Sequence, residues 1–323
     1  MTATAQPRAG EGTVSLPWRA MGEDDERRPD LPMPPGKMPR KRQGARRKRW
    51  RYAAAFADEV IVCAGRVHVG RMGQTFWAVV DRETGEMFER TRLLLPGARG
   101  EVWTEHLGGE EVVEELGDQG ILDYAPDEGS LVRIDAEGRG DDAKAFLRFG
   151  GGTWAESVCP TPEDNYVWTR KRADVPVECD IRAGGKRWRV EARGMEDESA
   201  GYHPAHTVWH WSSGVGRSTD GRSIGWNLVQ GINDPPERSE RTIWIDGEPF
   251  EPGPVSFDGL DGIGFADGSR LEFGAEAERS KEENRLIVKY TYRQPFGHFS
   301  GSLADGIELE SGVGVMEFHD ARW

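Results

Sequence analysis

This chain of 323 residues has few cysteines, no long apolar run and no excess of positive charge. Its three cysteines, Cys63, Cys159 and Cys179, fit neither a disulfide framework nor a zinc-binding pattern, so we expect reduced thiols in a cytoplasmic protein. The absence of any run of 18 apolar residues argues against a transmembrane helix, and the first residues lack the apolar segment of a secretory signal. A formal net charge of −14 argues against general nucleic-acid binding.

Glycine and tryptophan are abundant instead, with 42 and 12 residues. That pairing is typical of many short strands joined by tight turns around large interior side chains. From Trp50 onward, short alternating or apolar runs recur at regular spacing, which predicts an all-β sandwich or barrel rather than a βαβ protein. Only residues 109–117 and 141–146 have a helical pattern, and both segments are short.

The run of strands divides into two comparable halves. We therefore predict a flexible extension over residues 1–44, a first barrel-like domain over 45–195 and a second over 196–323. The basic segment 40–51, "RKRQGARRKRWR", admits two interpretations. It is either a weak contact with a membrane surface or a solvated lead-in to the first strand, whose charge the acidic body of the protein neutralises.

The segment "HTVWHW" raises the question of a metal site. On a helix, His206 and His210 would share a face and could share an ion. On a strand they are roughly 13 Å apart, at about 3.3 Å per residue, which is too far for one ion. Because the surrounding pattern is β, we expect no metal here. The same alternation places Thr207, Trp209 and Trp211 on the opposite face, which we expect to line a cavity.

The last predicted strand, "VMEFHDARW", places Glu317 and His319 on one face. Against an apolar wall, such a carboxyl has a raised pKa and can act as a general acid. The alternative is a buried pair that holds the C-terminus in place.

Three polar residues upstream interrupt apolar positions: Asn227, Asn233 and Glu240. Their side chains either line a cavity or face solvent. The glycine-rich stretches lack the features of a phosphate or dinucleotide site, so no cofactor is expected.

Several blocks together resemble a widespread bacterial family known only as a domain of unknown function. They are "VWTRKRADVPVECDI", "HTVWHWSSG", "WNLVQGIND", "TIWIDGEPFE", "YRQPFGHFSGSL" and "GVGVMEFHDARW". The resemblance covers roughly residues 45–323 and departs from the pattern at Arg241, where an amide is expected. The family is distantly similar to the lipocalin-like group that contains hydroxyneurosporene synthase, tocopherol cyclase and fungal Diels–Alderases. The resemblance implies two calycin-type β-barrels and cofactor-free chemistry on hydrophobic polyenes or terpenoids.

Three functional hypotheses follow from these patterns. The first is a cyclase, hydratase or isomerase for a hydrophobic small molecule, the second a lipocalin-like carrier that only binds its ligand, and the third a hydrolase or metal enzyme built on the histidines. The oligomeric state stays open. The candidate catalytic residues are Glu240, Glu317, His319, His206 and His210, and the candidate substrate-binding residues are Trp209, Trp211, Tyr202, Asn227 and Trp244.

Overall fold

The computed structural model describes residues 15–22, 27–70, 72–94, 100–106, 129–137, 141–285 and 288–322. Within these residues the chain forms two large antiparallel sheets, and the only helical element is a single 3₁₀ turn at Ala304–Gly306. The predicted all-β fold is therefore confirmed. No helix in the described residues has the length and apolar character needed to span a membrane.

The first sheet occupies the N-terminal part of the chain. Hydrogen bonding runs in the order β7-β6-β5-β4-β13-β12-β10-β9-β8, β11 pairs with the other half of β12, and β1 pairs with β11. A separate hairpin, β2–β3, precedes β4. The strands are β1 (Trp18–Met21), β2 (Lys41–Arg42), β3 (Ala45–Arg46), β4 (Lys48–Phe56), β5 (Val60–Val69), β6 (Met72–Asp81), β7 (Glu86–Leu94), β8 (Val102–His106), β9 (Ser130–Ala136), β10 (Ala143–Phe149), β11 (Ala155–Thr161), β12 (Asn165–Ala183) and β13 (Lys186–Gly201).

The second sheet has the order β17-β16-β15-β14-β22-β21-β20-β19-β18. Its long strands β14, β20, β21 and β22 form the centre. The strands are β14 (His206–Ser218), β15 (Ser223–Gln230), β16 (Thr242–Ile245), β17 (Glu248–Phe250), β18 (Val255–Asp258), β19 (Gly262–Phe265), β20 (Arg270–Arg285), β21 (Val288–Leu303) and β22 (Ile307–Arg322).

The predicted helix at 141–146 is wrong. From Ala143 to Phe149 the side chains are alternately buried and exposed, which is the period of a half-buried strand, and this segment is β10. Pairing with β9 and β12 on both sides satisfies its backbone groups and outweighs the local helical preference of "DDAKAF". The other predicted helix, 109–117, lies outside the described residues.

Both sheets curl until their ends approach each other. In the first, β8 lies against β5 and β6, and in the second, β18 lies against β15. The backbone N–H of Phe257 on β18 also donates to Oε1 of Gln230 on β15 at 3.0 Å. Each curled sheet encloses its own apolar core, which contains Trp77 and Phe149 in the first and Trp226 and Phe299 in the second.

A third apolar cluster joins the two sheets. Tyr52, Ala54 and Met195 of the first sheet pack against Trp211 and Phe296 of the second, together with other buried apolar residues of both sheets. The sheets approach closely where Gly225 faces a bulge in β12, since a Cβ at Gly225 would lie only 2.8 Å from the Cβ of Ala173. A side chain at this position would push the sheets apart.

The boundary predicted between residues 195 and 196 lies inside β13, which continues to Gly201, and the second sheet begins at His206. The described part of the predicted flexible extension is packed: Trp18 and Met33 are buried against Trp168. Much of the basic segment is also internal. Arg47, Lys48, Arg49 and Arg51 are all buried, so the exposed charge of this segment is smaller than the sequence suggests.

Candidate functional site

The junction of the two sheets brings several of the predicted site residues together. Strands β14 and β22 pair so that Trp209 lies opposite His319 and Trp211 opposite Glu317. Because side chains alternate along a strand, these four residues share the face that packs on the first sheet. The strand pairing therefore brings the segments "HTVWHW" and "VMEFHDARW" together, so that their side chains form one cluster.

Glu317 is held by a hydrogen bond to each carboxyl oxygen. Nε1 of Trp209 donates to Oε1 at 2.9 Å, and Nε2 of Gln294 donates to Oε2 at 2.9 Å. Burial between the sheets raises the pKa of Glu317 to about 7, even though the hydrogen bond from Trp209 lowers it. The residue as a whole is only partly buried, although its carboxyl lies between the sheets. A carboxyl in this state exchanges its proton near neutral pH.

Arg279 determines which way the amide of Gln294 faces. Its Nη1 donates to Oε1 of Gln294 at 3.0 Å, so the amide nitrogen must point to Glu317. The guanidinium is held in turn by Oε2 of Glu89 at 2.8 Å and Oγ1 of Thr91 at 3.2 Å, both on β7 of the first sheet. The carboxyl of Glu317 is thus anchored across the junction. Neither Arg279 nor Gln294 was a candidate from the sequence. Gln294 lies in the block "YRQPFGHFSGSL", but only the packing of separate strands brings it to Glu317.

Aromatic rings surround the Glu317 carboxyl. Trp209 stacks on Trp50 of the first sheet with a centroid distance of 6.5 Å, and its other side contacts His319 at 4.1 Å. The ring of Tyr292 is 5.5 Å from His319. Trp50, Trp209, Tyr292 and His319 are all half-buried and therefore present accessible apolar surface. Burial lowers the pKa of His319 to about 3, so its imidazole is neutral at physiological pH.

These features agree with a family match over nearly the whole chain. The model of the domain of unknown function DUF2804 matches residues 36–323. The chain belongs to this family. The resemblance to a family of unknown function that the sequence predicted is therefore confirmed. No curated protein sequence matches the chain.

Among solved structures, this DUF2804 chain has the fold of kievitone hydratase from Nectria haematococca. The two share 10% sequence identity at a TM-score of 0.50, over 84% of this chain and 88% of that one. CghA with Sch210972 also matches, at 10% identity and a TM-score of 0.37, over 95% of this chain and 98% of that one. The likeness to the hydratase concerns the fold alone.

The DUF2804 chain places two predicted catalytic histidines away from Glu317. His206 is exposed, and its Nε2 lies 2.8 Å from Oδ1 of Asp320. His210 packs against Phe257 and Phe318. Both histidines lie on the opposite face of β14 from Trp209, as the alternation predicts. The described residues contain no group of His, Cys, Asp or Glu side chains that could hold a metal ion.

Glu240 is deeply buried in a polar cluster of its own. Its Oε1 is 3.0 Å from Nζ of Lys171, and its Oε2 accepts from Nδ2 of Asn233 at 2.9 Å. Lys171 also contacts Asp197 at 2.9 Å. Burial alone would lower the pKa of Lys171, but Asp197 and Glu240 raise it, so the lysine stays charged. In this arrangement Glu240 compensates a buried cation between the sheets.

The other predicted binding residues are almost completely buried. Nε1 of Trp211 donates to Oδ1 of Asn227 at 2.8 Å, and Nε1 of Trp244 donates to the carbonyl oxygen of Thr153 at 2.9 Å. The hydroxyl of Tyr202 donates to the carbonyl oxygen of Pro39 at 2.7 Å. Of the five predicted binding residues, Trp209 alone keeps substantial accessible surface.

Proposed function

We propose that this protein is a cofactor-independent cyclase, hydratase or isomerase that acts on a hydrophobic polyene or terpenoid-like molecule, with Glu317 as the general acid. The observation that carries this proposal is the Glu317 carboxyl, whose pKa burial raises to about 7, beside aromatic rings at the junction of the sheets. A catalytic acid works best when its pKa is close to the operating pH. An alkene requires apolar surroundings as well as a proton, and Trp50, Trp209 and Tyr292 supply them.

The proposed reactions need only the substrate, the Glu317 carboxyl and, for hydration, a water molecule. The proton of the carboxyl forms a new C–H bond with the electron pair of an alkene, which leaves a cation on the neighbouring carbon and a carboxylate on Glu317. Aromatic faces stabilise such a cation by about 0.5–2 kcal/mol each. In cyclisation or isomerisation, a proton then returns from carbon to the carboxylate. In hydration, water adds to the cation and its released proton restores the acid.

The fold likeness to kievitone hydratase supports this class of reaction, because that protein is by its name a hydratase. The carrier hypothesis uses the same aromatic residues but requires no titrating acid. Glu317 is therefore the residue that separates the two hypotheses.

The test is turnover of a panel of linear hydrophobic alkenes, such as squalene, lycopene and geranylgeraniol, by the purified protein in D₂O. We expect a product that contains one deuterium at carbon, and a loss of rate of about 10²–10⁴ in Glu317→Gln, the range typical for a general acid. His206→Ala is the matched control and should keep full activity, since His206 lies on the outer face. A folded Glu317→Gln variant with unchanged turnover would refute the role of Glu317. Recovery of an intact ligand from the protein, with no turnover of that ligand, would establish the carrier.

A further inference from the structure

A second polar cluster lies inside the first curled sheet, on the opposite face of β4 from the junction. Tyr52 and Ala54 of β4 face the second sheet, whereas Ala53 belongs to the inner core, so Arg49 and Arg51 also face inward. Strand register places further basic side chains directly beside them. The inner cationic cluster consists of Arg49, Arg51, Arg66, His68, Arg170 and Arg172.

Two carboxylates, Glu196 and Glu198 of β13, pair with this cluster in the described part of the chain. Nη2 of Arg51 is 2.8 Å from Oε1 of Glu196, whose other oxygen accepts from Nε of Arg172 at 2.7 Å. Glu198 lies 3.5 Å from Arg170 and 3.7 Å from Arg51. The arginines thus compete for shared carboxylates. Glu196 also accepts from Oγ of Ser130 at 2.5 Å and has no capacity left for another guanidinium.

Several buried donors in the cluster have no hydrogen-bond partner in the part of the chain that the structure describes. They are Nε and Nη1 of Arg51 and Nη1 of Arg172, on side chains that are only 3% and 1% exposed. The hydroxyl of Thr75, which lies opposite Arg66 in the strand register, is also buried and unsatisfied. Folded proteins leave few such groups, because each costs its full desolvation. The cluster therefore contains N–H and O–H donors that a bound ligand could satisfy.

Arg66 shows most clearly that, within the described residues, the cluster has more positive than negative charge. It lies directly opposite Arg51, is half-buried, and makes no ion pair or hydrogen bond within the described residues. Burial and the charge of Arg51 lower the pKa of Arg66. Burial and the charges of Arg66, Arg49 and Arg47 lower the pKa of the neighbouring His68 to about 4. Like charges directly opposite each other destabilise a sheet.

We propose that the inner cationic cluster binds a phosphate or carboxylate group, with Arg66 and Arg51 as its principal ligands. Guanidinium groups form paired hydrogen bonds with the oxygens of such anions, which matches the unsatisfied donors of Arg51 and Arg172. Arg66 and His68 are half-buried and lie towards the end of β5, so the anion enters from this end of the curled sheet. The site is separate from Glu317, because Glu317 belongs to the second sheet, which packs on the opposite face of the first sheet.

The first test is the thermal stability of the purified full chain in Tris-chloride buffer, with inorganic phosphate added at constant ionic strength. We expect phosphate to raise the Tm by several degrees, in proportion to the logarithm of its concentration once the site saturates. Arg66→Gln should abolish this rise. Because Arg66 makes no ion pair or hydrogen bond within the described residues, the variant should fold and should be at least as stable as wild type without phosphate. Arg148→Gln, at an exposed position on β10, is the matched control and should respond like wild type.

An equal response of all three proteins to phosphate, or none in wild type, would overturn the proposal. Arg66→Gln that is less stable than wild type in chloride would overturn it too, since Arg66 would then have a partner within the protein. Octyl phosphate distinguishes the sources of the anion. Tighter binding of octyl phosphate than of inorganic phosphate indicates the head group of an amphiphile, and equal binding indicates a free anion; both require the same Arg66 dependence.

Discussion

The indole of Trp209 donates a hydrogen bond from Nε1 to Oε1 of Glu317 over 2.9 Å, although the two residues are far apart in the chain. The bond couples the largest accessible ring of the junction to its titrating carboxyl. It stabilises the ionised form of Glu317 and so limits the rise in pKa that burial causes. Any change in the protonation of Glu317 therefore changes the hydrogen bond that Trp209 donates.

We predict that Trp209 reports the titration of Glu317 directly. In protein labelled with 5-fluorotryptophan, one ¹⁹F resonance should shift with a midpoint close to pH 7, which corresponds to the pKa of Glu317 of about 7. Trp209→Phe should remove this resonance and so assign it. Glu317→Gln should leave it in place but abolish its shift. A midpoint near the ordinary carboxyl pKa in the wild-type protein would contradict the burial of Glu317.

Glu317 should also make stability depend on pH. Its pKa is raised from 4.5 to about 7 on folding, so the unfolded chain ionises first and the native state is penalised as the pH rises between these values. The full penalty is about 3 kcal/mol above about pH 7 and vanishes below about pH 4. The difference in the free energy of unfolding between wild type and Glu317→Gln should change by this amount across that range, in favour of the variant at high pH. Urea denaturation at several pH values measures it, and a constant difference would rule out the raised pKa.

The buried ion pair of Lys171 should be essential for folding stability. Lys171→Met leaves Glu240 and Asp197 buried without their cation, which should cost about 3–5 kcal/mol in the free energy of unfolding. Lys144→Met is the matched control: it breaks an exposed pair with Glu137 and should leave the denaturation midpoint close to that of wild type. Similar midpoints for both variants would mean that the Lys171 cluster contributes little.

Close packing of the central strands of the second sheet should make Gly297 intolerant of a side chain. A Cβ at this position would overlap the carbonyl oxygen of Gly274 on the neighbouring strand, and a backbone atom cannot move aside cheaply. Gly297→Ala should therefore destabilise the protein by at least about 1–3 kcal/mol in chemical denaturation. For comparison, Gly253→Ala should be tolerated, since its nearest neighbour would be 3.8 Å away. Equal stability of the two variants would show that β21 can shift relative to β20.

Strands β14 and β22 show which part of the candidate site could be predicted from the sequence. Side-chain alternation along a single strand is a local property, and it correctly separated Trp209 from His206 and put Glu317 on the same face as His319. The prediction of a helix over 141–146 was wrong because it rested on a weak local preference. It took no account of the two neighbouring strands that pair with β10. Local patterns decide which face a residue occupies, but not which strand lies beside it.

The sequence by itself determined the β architecture and the faces of β14 and β22, because these follow from a period of two along a short segment, and its sequence blocks identified the family. Only the tertiary structure decided that Gln294 and Arg279 hold Glu317, that Lys171 pairs with Glu240, and that Arg66 lies opposite Arg51. These contacts depend on the register between different strands and on the packing of one sheet against the other. No stretch of contiguous sequence encodes them, since each brings together residues from separate strands.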